Sequence, residues 1–448
     1  MEKLFGTDGV RGIANAELDC EKAMAIGRAT AFVLSRKLKK PPLFMIGADT
    51  RVSSDMLAAA VSAGICSSGG SVLSVGVLPT PAVAYLVGRL GADAGVMISA
   101  SHNSFEYNGI KIFDNRGFKL SDDFEREIEG LVLKNIKLPL SHSVGSILPD
   151  RNALESYIDH LASTTDQSFN GLSIAVDSAN GASYLSAERL FSRLGAKVYM
   201  LSNTPNGTNI NEACGSTHTD ALRDFVLKNK LDFGVAFDGD ADRAICVDEK
   251  GGIVDGDTIL AICALDLKSQ GRLAKNTVVG TVMTNLGFVR FCQENGINFV
   301  STSVGDKFVL EEAEKNGYIL GGEQSGHIIF RQYATTGDGQ LTAIRLLSVM
   351  KREEKSLSAL ASLVKKVPQA TTSVKVSPSA RARFYTDEEI KKAIEGASAE
   401  LGENGRILVR PSGTEPLIRI MVEGDDGCAI KEISKRVANI IKERLCGK

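Results

Sequence analysis

An α/β fold is expected: three related α/β domains with mixed sheets plus a small C-terminal α+β domain, and two observations predict it. Three segments, PPLFMIGADTRVSSDMLAAAVSAGICSSGGSVLSVGVLPTP (41–81), GLSIAVDSANGASYLSAERLFSRLGAKVYMLSN (171–203) and NTVVGTVMTNLGFVRFCQENGINFVSTSVGD (276–306), share one pattern. Each runs from a short apolar or β-branched stretch through a polar Gly/Asn/Asp turn into an apolar-periodic helix, a glycine stop and a second apolar stretch. That is a β-α-β unit, and three copies point to three related domains rather than one large sheet. The second observation is that the tail departs from this pattern.

Taken in order, the first domain (1–152) holds the first unit and then the stretch VMISASHNSFEYNGIKIF (96–113), an apolar run broken by Ser99, Ser101, His102 and Asn103. The polar stretch KLPLSHSVGSILPD (137–150) closes it, and an amphipathic helix from Arg151 opens the second domain (153–253). The third domain (254–367) carries the third unit. The stretch KKVPQATTSVKVSPSARA (365–382) sets apart the fourth (368–448), which reads as a helix near 387–399, the strand RILVR, the turn PSGTEP, the strand LIRIMVE and a final helix. In that helix Ile430, Ile433, Val437, Ile440 and Ile441 form an apolar stripe that faces a core.

The bulk composition excludes several classes. Against 52 Lys and Arg stand 54 Asp and Glu in 448 residues, without the basic surplus that nucleic acid or an anionic membrane surface demands. No apolar run approaches the ~18 residues of a membrane span, and MEKLFGTDGV has no signal-peptide core, so a cytoplasmic protein is expected. The eight cysteines are scattered without a C-x-x-C pair, which suits free thiols rather than disulfides or a zinc site.

The strongest local signal is GVAFDGDADRAICVD, where Asp238, Asp240 and Asp242 alternate directly after an apolar strand. Three carboxylates that close repel one another unless a cation neutralises them, and oxygen ligands suit a hard ion such as Mg²⁺. A calcium EF-hand starting at Asp238 would find Glu249 at its twelfth position, but Arg243 stands where a glycine must turn. An aspartyl-phosphate loop also has D-x-D after a strand, and fits less well, because the third Asp and Arg243 read as ligand and phosphate clamp. Open positions on such a metal take a phosphate oxygen, with Arg243 as the adjacent cationic fork. Ser101, at a strand end beside His102, is a candidate bearer of that phosphate.

Three further islands fit the same chemistry. In RILVRPSGTEPLIRIMVEG, Arg410, Ser412, Gly413, Thr414 and Arg419 supply guanidinium groups, hydroxyls and a permissive turn, the needs of a phosphate monoester. YILGGEQSGHIIF places Glu323, Ser325 and His327 in a glycine-rich turn able to bond sugar hydroxyls. FGTDGVRG offers Thr7 and Arg11 among glycines. Lys111 reads either as an edge-strand solubiliser or, desolvated among arginines, as a general base with a lowered pKa.

GTDGVRG, SASHN, DGDADR, GEQSGH and RPSGTEP occur in the order and spacing of the α-D-phosphohexomutase superfamily, and from Phe5 to Arg419 the chain resembles its members. The Ser-Ala-Ser start of the serine loop, the Gln of GEQSGH and the length resemble most the bacterial members that act on amino-sugar phosphates and feed cell-wall precursor synthesis. The resemblance implies four domains around a central cleft, each giving one motif. It implies that Ser101 carries a covalent phosphate, that this phosphate with Asp238, Asp240 and Asp242 holds one Mg²⁺, and that a sugar 1,6-bisphosphate is the intermediate and activator. Lys111 resembles the family's general acid/base, with His102 and His327 as further candidates. It also implies a small-molecule amino-sugar phosphate as partner and a monomer or homodimer. In the family's loops proline usually follows Ser-His-Asn; here it is Ser104, so a less rigid loop is expected.

Overall fold

The computed structural model describes residues 4–6, 8–134, 143–412 and 416–446. The chain divides into two units, Met1–Met283 with Asn295–Leu363, and Thr284–Glu294 with Val364–Lys448.

The first unit holds three mixed sheets. Strands β1 (Val10–Ile13), β2 (Leu43–Ala48), β3 (Ser71–Val77), β4 (Ala94–Ile98), β5 (Tyr107–Asp114) and β6 (Ile147–Pro149) form the first, in the order β1-β5-β4-β2-β3-β6. Its centre is parallel, and β5 and β1 add antiparallel at one edge. Helices α1 (Cys20–Leu38), α2 (Ser54–Ser67), α3 (Thr80–Arg89) and α4 (Asp122–Leu133) accompany it. Helix α1 starts where Asp19 accepts from Lys22 N at 2.7 Å and ends on Lys39 in the left-handed region at φ 55°. It packs closely on α2 because Gly27 and Gly64 each face the backbone of the opposite helix. A Cβ at Gly27 would lie 2.3 Å from Val61 O, and one at Gly64 2.2 Å from Met24 O. Phe44, Ile46, Val96, Ile98 and Ile110 join the buried faces of both helices in one core.

The second sheet, β7 (Ser173–Asp177), β8 (Lys197–Leu201), β9 (Phe233–Phe237), β10 (Ala244–Asp248) and β11 (Ile253–Val254), runs β11-β10-β9-β7-β8. Helices α5 (Ala153–Ser163), α6 (Ser186–Arg193) and α7 (Asp220–Asn229) belong to this part of the chain, and α8 (Gly256–Ser269) follows it. The third sheet, β12 (Thr277–Thr281), β13 (Asn298–Thr302), β14 (Leu320–Gly322) and β15 (Ile328–Phe330), runs β13-β12-β14-β15. Helix α9 (Leu286–Glu294) lies between β12 and β13 in the chain but belongs to the second unit. Helices α10 (Asp306–Asn316), α11 (Gly339–Glu353) and α12 (Leu357–Ala361) complete the first unit.

In the second unit β16 (Gln369–Lys375), β17 (Gly405–Pro411) and β18 (Leu417–Gly424) form an antiparallel sheet in the order β16-β18-β17. Helices α13 (Pro378–Arg383), α14 (Glu388–Leu401) and α15 (Gly427–Cys446) accompany it. Ile430, Ile433, Val437 and Ile441 of α15 lie in its core, while Ile440 is half-buried. Buried Glu423 ties α9 to this sheet, accepting from Asn285 Nδ2 at 2.9 Å and from Arg406 Nε at 2.6 Å.

Both stretches read as separators give strands back to sheets. The short Ile-Leu pair of 137–150 becomes edge strand β6, and the alternation in QATTSVK becomes edge strand β16. Polar alternation on an edge resembles a linker in sequence because only one face is covered. Residues 135–142 lie outside the described residues.

Candidate functional site

Two fully buried strands end on the candidate site. Strand β4 delivers Ser99 and Ser101, and β9 delivers the aspartate loop. Ser101 is 1 % exposed and sits in the left-handed region at φ 55°, an uncommon state for a non-glycine residue that turns its hydroxyl out of the strand line. Its Oγ donates to Asp238 Oδ2 at 2.6 Å. Asp238, Asp240 and Asp242 bring one carboxylate oxygen each within 4.8 Å of one another, all buried. Gly239 permits this approach, since a Cβ there would stand 2.6 Å from Ser101 O.

The cluster has the electrostatics of a cation site. Burial, then the neighbouring Asp242 and Asp240, push the Asp238 carboxyl well above the usual carboxylate range. Burial acts the same way on Asp242, but Lys111 and His327 outweigh it and hold that group well down. Thr80 Oγ1 donates to Asp240 Oδ2 at 2.6 Å, yet the other oxygen, Oδ1, is buried without a hydrogen-bond partner, as is Asp242 Oδ1. Buried orphan oxygens beside a proton-seeking carboxylate fit a hard divalent cation. Glu249 does not join them: it accepts from the backbone N–H and hydroxyl of Ser358, which removes the EF-hand reading.

Lys111 is 1 % exposed on β5 and lies among carboxylates rather than arginines. Its Nζ is 2.8 Å from Asp240 Oδ2, 3.1 Å from Asp8 Oδ2 and 3.5 Å from Asp242 Oδ2. Burial pulls its pKa down, but Asp240, Asp8 and Asp242 together raise it well above the ordinary value. The lowered pKa, one of the two readings open for Lys111, is therefore corrected, and the ammonium form is the resident one.

Burial, Arg243 and Arg11 lower His102 to about 4, so its ring is neutral at pH 7. Arg243 Nη1 donates to His102 Nδ1 at 2.9 Å, which also lies 3.5 Å from Ser101 Oγ. The Arg243 backbone N–H reaches Asp238 Oδ1 at 3.2 Å. At His327 burial lowers the pKa, but Asp242 outweighs it and raises it. Gly337 N–H nevertheless donates to Nε2 at 2.9 Å, a bond that needs that nitrogen unprotonated. The hydrogen bond selects the neutral ring with its proton on Nδ1, facing Asp242 Oδ1 at 3.6 Å.

Glu323 and Ser325 occupy the β14–β15 turn. Glu323 is half-buried and accepts from Gly305 N at 3.0 Å, and Ser325 is exposed. Arg11, exposed on β1, pairs with Asp8. In the second unit Arg410 stands directly opposite Arg419 across β17 and β18. Buried Ser412 follows, its N–H donating to Leu417 O at 2.8 Å. Thr7, Gly413 and Thr414 lie outside the described residues.

The structure adds residues that motif reading passed over. Arg51, fully buried and paired with Asp49 at 2.7 Å, donates to Ser101 O at 2.8 Å, to Tyr107 O at 2.9 Å and to Ser104 O. Asn211 Nδ2 reaches Ser101 O and Asn103 O, both at 2.9 Å. Asp49 accepts from Ser99 Oγ at 2.7 Å, and Ser99 Oγ accepts from Ser101 N at 2.9 Å. These bonds restrain the loop that Ser104 was expected to loosen. The signal was the D-x-R at the end of the first repeat's strand, which also reads as an ordinary turn. A cavity of about 710 Å³ is not lined by Ser101 or the three aspartates; Lys119 and Asp306 are among the residues that line it.

Four family descriptions, each headed phosphoglucomutase/phosphomannomutase, match the chain: alpha/beta/alpha domain I over residues 2–138, domain II over 155–252, domain III over 255–367 and the C-terminal domain over 372–440. A protein of Caldanaerobacter subterraneus named phosphoglucosamine mutase is 51 % identical, covering 99 % of this chain and 100 % of its own. One of Acetivibrio thermocellus with the same name is 48 % identical at the same coverage. Among solved structures, a phosphoglucomutase/phosphomannomutase family protein of Burkholderia thailandensis superposes with TM-score 0.83 at 24 % identity, over 99 % of this chain and 97 % of that one. N-acetylphosphoglucosamine mutase of Aspergillus fumigatus, solved with GlcNAc-6P and magnesium, has TM-score 0.72 at 18 % identity over 98 % and 96 %. Likenesses at these identities concern the fold.

Proposed function

The chain belongs to the phosphoglucomutase/phosphomannomutase family, and on that premise we propose that it interconverts glucosamine 6-phosphate and glucosamine 1-phosphate, the activity for which its half-identical relatives are named. The observation that carries the reading is the buried Ser101 hydroxyl bonded to Asp238 inside the carboxylate cluster.

Ser101 is assigned as phosphoryl carrier. In the forward half-reaction the sugar O1 attacks phosphoserine; an O1–P bond forms, the Oγ–P bond breaks, the O1 proton is lost and the departing Ser101 Oγ gains one, and glucosamine 1,6-bisphosphate results. The bisphosphate reorients, Ser101 Oγ attacks its 6-phosphate, and glucosamine 1-phosphate leaves with the serine phosphorylated again. Asp238, Asp240, Asp242 and a phosphate oxygen on Ser101 would hold Mg²⁺, which supplies charge neutralisation for the transferring group.

Arg243 is assigned to that same group. Lys111, resident as an ammonium, is assigned to stabilising and protonating an oxygen rather than taking its proton. Within reach of the Ser101 proton are Asp238 Oδ2 and His102 Nδ1, at 2.6 and 3.5 Å. Glu323 and Ser325, with His327 behind them, are assigned to sugar hydroxyls. Arg410, Ser412, Arg419 and, by motif, Gly413, Thr414, Thr7 and Arg11 are assigned to substrate phosphate. Domain limits at 152, 253 and 367 are part of the same proposal.

A coupled assay over glucosamine, glucose and mannose phosphates tests specificity; a higher kcat/KM on glucose or mannose phosphate would replace the amino sugar as substrate. Ser101→Ala is expected to abolish turnover and the one-phosphate mass increment that sugar bisphosphate leaves on the parent. Undiminished turnover would remove the serine from the mechanism.

A further inference from the structure

Beside the carboxylate triad lies a second layer of charge, the half-buried Asp8, Lys119 and Asp306, that the reaction above does not use. Lys119, between β5 and α4, donates to Asp306 Oδ2 at 2.6 Å, and its Nζ is also 2.6 Å from Asp8 Oδ1. The other oxygen of Asp8 faces Lys111 Nζ at 3.1 Å, and Lys111 faces Asp240 at 2.8 Å. The charges thus alternate along an arc, Asp306, Lys119, Asp8, Lys111, Asp240, with Arg11 a third cation on Asp8 from the exposed side. The side chains of Lys119 and Asp306 are only 15 % and 17 % exposed, so the arc is little screened by water.

A tether between distant parts of the chain would need only the Lys119–Asp306 pair, whose partners are 187 residues apart. The additional contact to Asp8 faces the site. Asp8 competes with Asp240 and Asp242 for one ammonium, and the charge on Lys119 sets how strongly it competes. We propose that Lys119 and Asp306 are positioning residues: acting through Asp8, they keep the Lys111 ammonium shared between Asp8 and Asp240, and so set how much of the triad's negative charge remains for the metal.

The two residues carry opposite charge, so their removal has opposite effects on metal binding. Without Lys119, Asp8 draws Lys111 away and leaves the triad more negative. Without the Asp306 charge, Lys119 acts on Asp8 undiluted, and Lys111 is released toward Asp240 and Asp242 to oppose the cation. Turnover falls in both, because both displace Lys111. The kinetic consequence rests on the mutase reading; the effect on metal affinity does not.

The test titrates Mg²⁺ calorimetrically into the dephosphorylated full-length protein and its Lys119→Met, Asp306→Asn and Lys119→Arg variants, with kcat and KM for glucosamine 6-phosphate measured alongside. The expected Kd for Mg²⁺ falls several-fold in Lys119→Met, rises several-fold in Asp306→Asn and stays within about twofold in Lys119→Arg. The expected kcat falls at least about tenfold in the first two with KM nearly unchanged. A Kd unchanged in both, or shifted the same way in both, makes the pair a tether and overturns the proposal. Should Lys119→Met give no cooperative melt, Asp306→Asn decides: an unchanged Kd there overturns the proposal and a raised one sustains it. Parent enzyme that binds Mg²⁺ yet turns over no amino-sugar phosphate would refute the function above, while the calorimetric arm still decides this coupling.

Discussion

At the residue scale the site depends on charges that neighbours impose. The His102 ring, lowered from an ordinary 6.5 to about 4, is favoured in its neutral form by the fold. Stability from that preference is therefore full above pH 6.5 and is lost as pH falls through about 4. Its ceiling is about 3 kcal/mol, reduced by the ring's partial exposure. In the dephosphorylated protein the His102 ring resonances are expected to titrate near pH 4 by NMR; a midpoint at or above 6 would contradict the arrangement with Arg243. Motif reading found His102, Lys111 and the aspartates because their spacing is local. Of the two readings it left open for Lys111, the lowered pKa does not survive, since Asp8, Asp240 and Asp242 reach it from other parts of the chain.

Among the elements, β4 and β9 are buried throughout, so both loops start from fixed points and residues behind them set their geometry. Arg51 and Asp49 are buried as a pair, and Arg51→Met would leave the buried Asp49 carboxylate without its counter-ion, held only by hydroxyls and a backbone N–H, and release the Ser101, Ser104 and Tyr107 carbonyls. Chemical denaturation should register a loss of about 3–5 kcal/mol. Gly239→Ala is expected to act differently: its Cβ would push the metal loop from Ser101 O, so kcat falls more than stability does. Paired denaturation and kinetic measurements on that variant separate the two. The strands of the repeats were legible as apolar runs, whereas β6 and β16 were not, because an edge strand covered on one side has the polarity of a loop.

For the molecule as a whole, the triad is a store of like charge that a cation relieves. Mg²⁺ at about 100 times its Kd should add about 2.7 kcal/mol to the stability of the folded state. Thermal melts with Mg²⁺ and with EDTA should differ by several degrees for the parent, and Asp240→Asn should abolish most of that difference. The chain's near balance of 52 basic and 54 acidic residues says nothing of this, because the imbalance is confined to a few buried groups.

The order of motifs along the chain was enough to establish an α/β protein with four family segments and to single out Ser101 and its three aspartates. Each of those motifs is a short run of adjacent residues, which spacing alone makes readable, whereas the meeting of Ser101 with Asp238 across 137 residues is a product of the fold. The protonation of Lys111, the restraint of the serine loop by Arg51 and Asn211, and the arc through Asp8, Lys119 and Asp306 emerged only on folding. Each is a sum of interactions between segments far apart in the chain, and the sign of such a sum depends on distances that no spacing records.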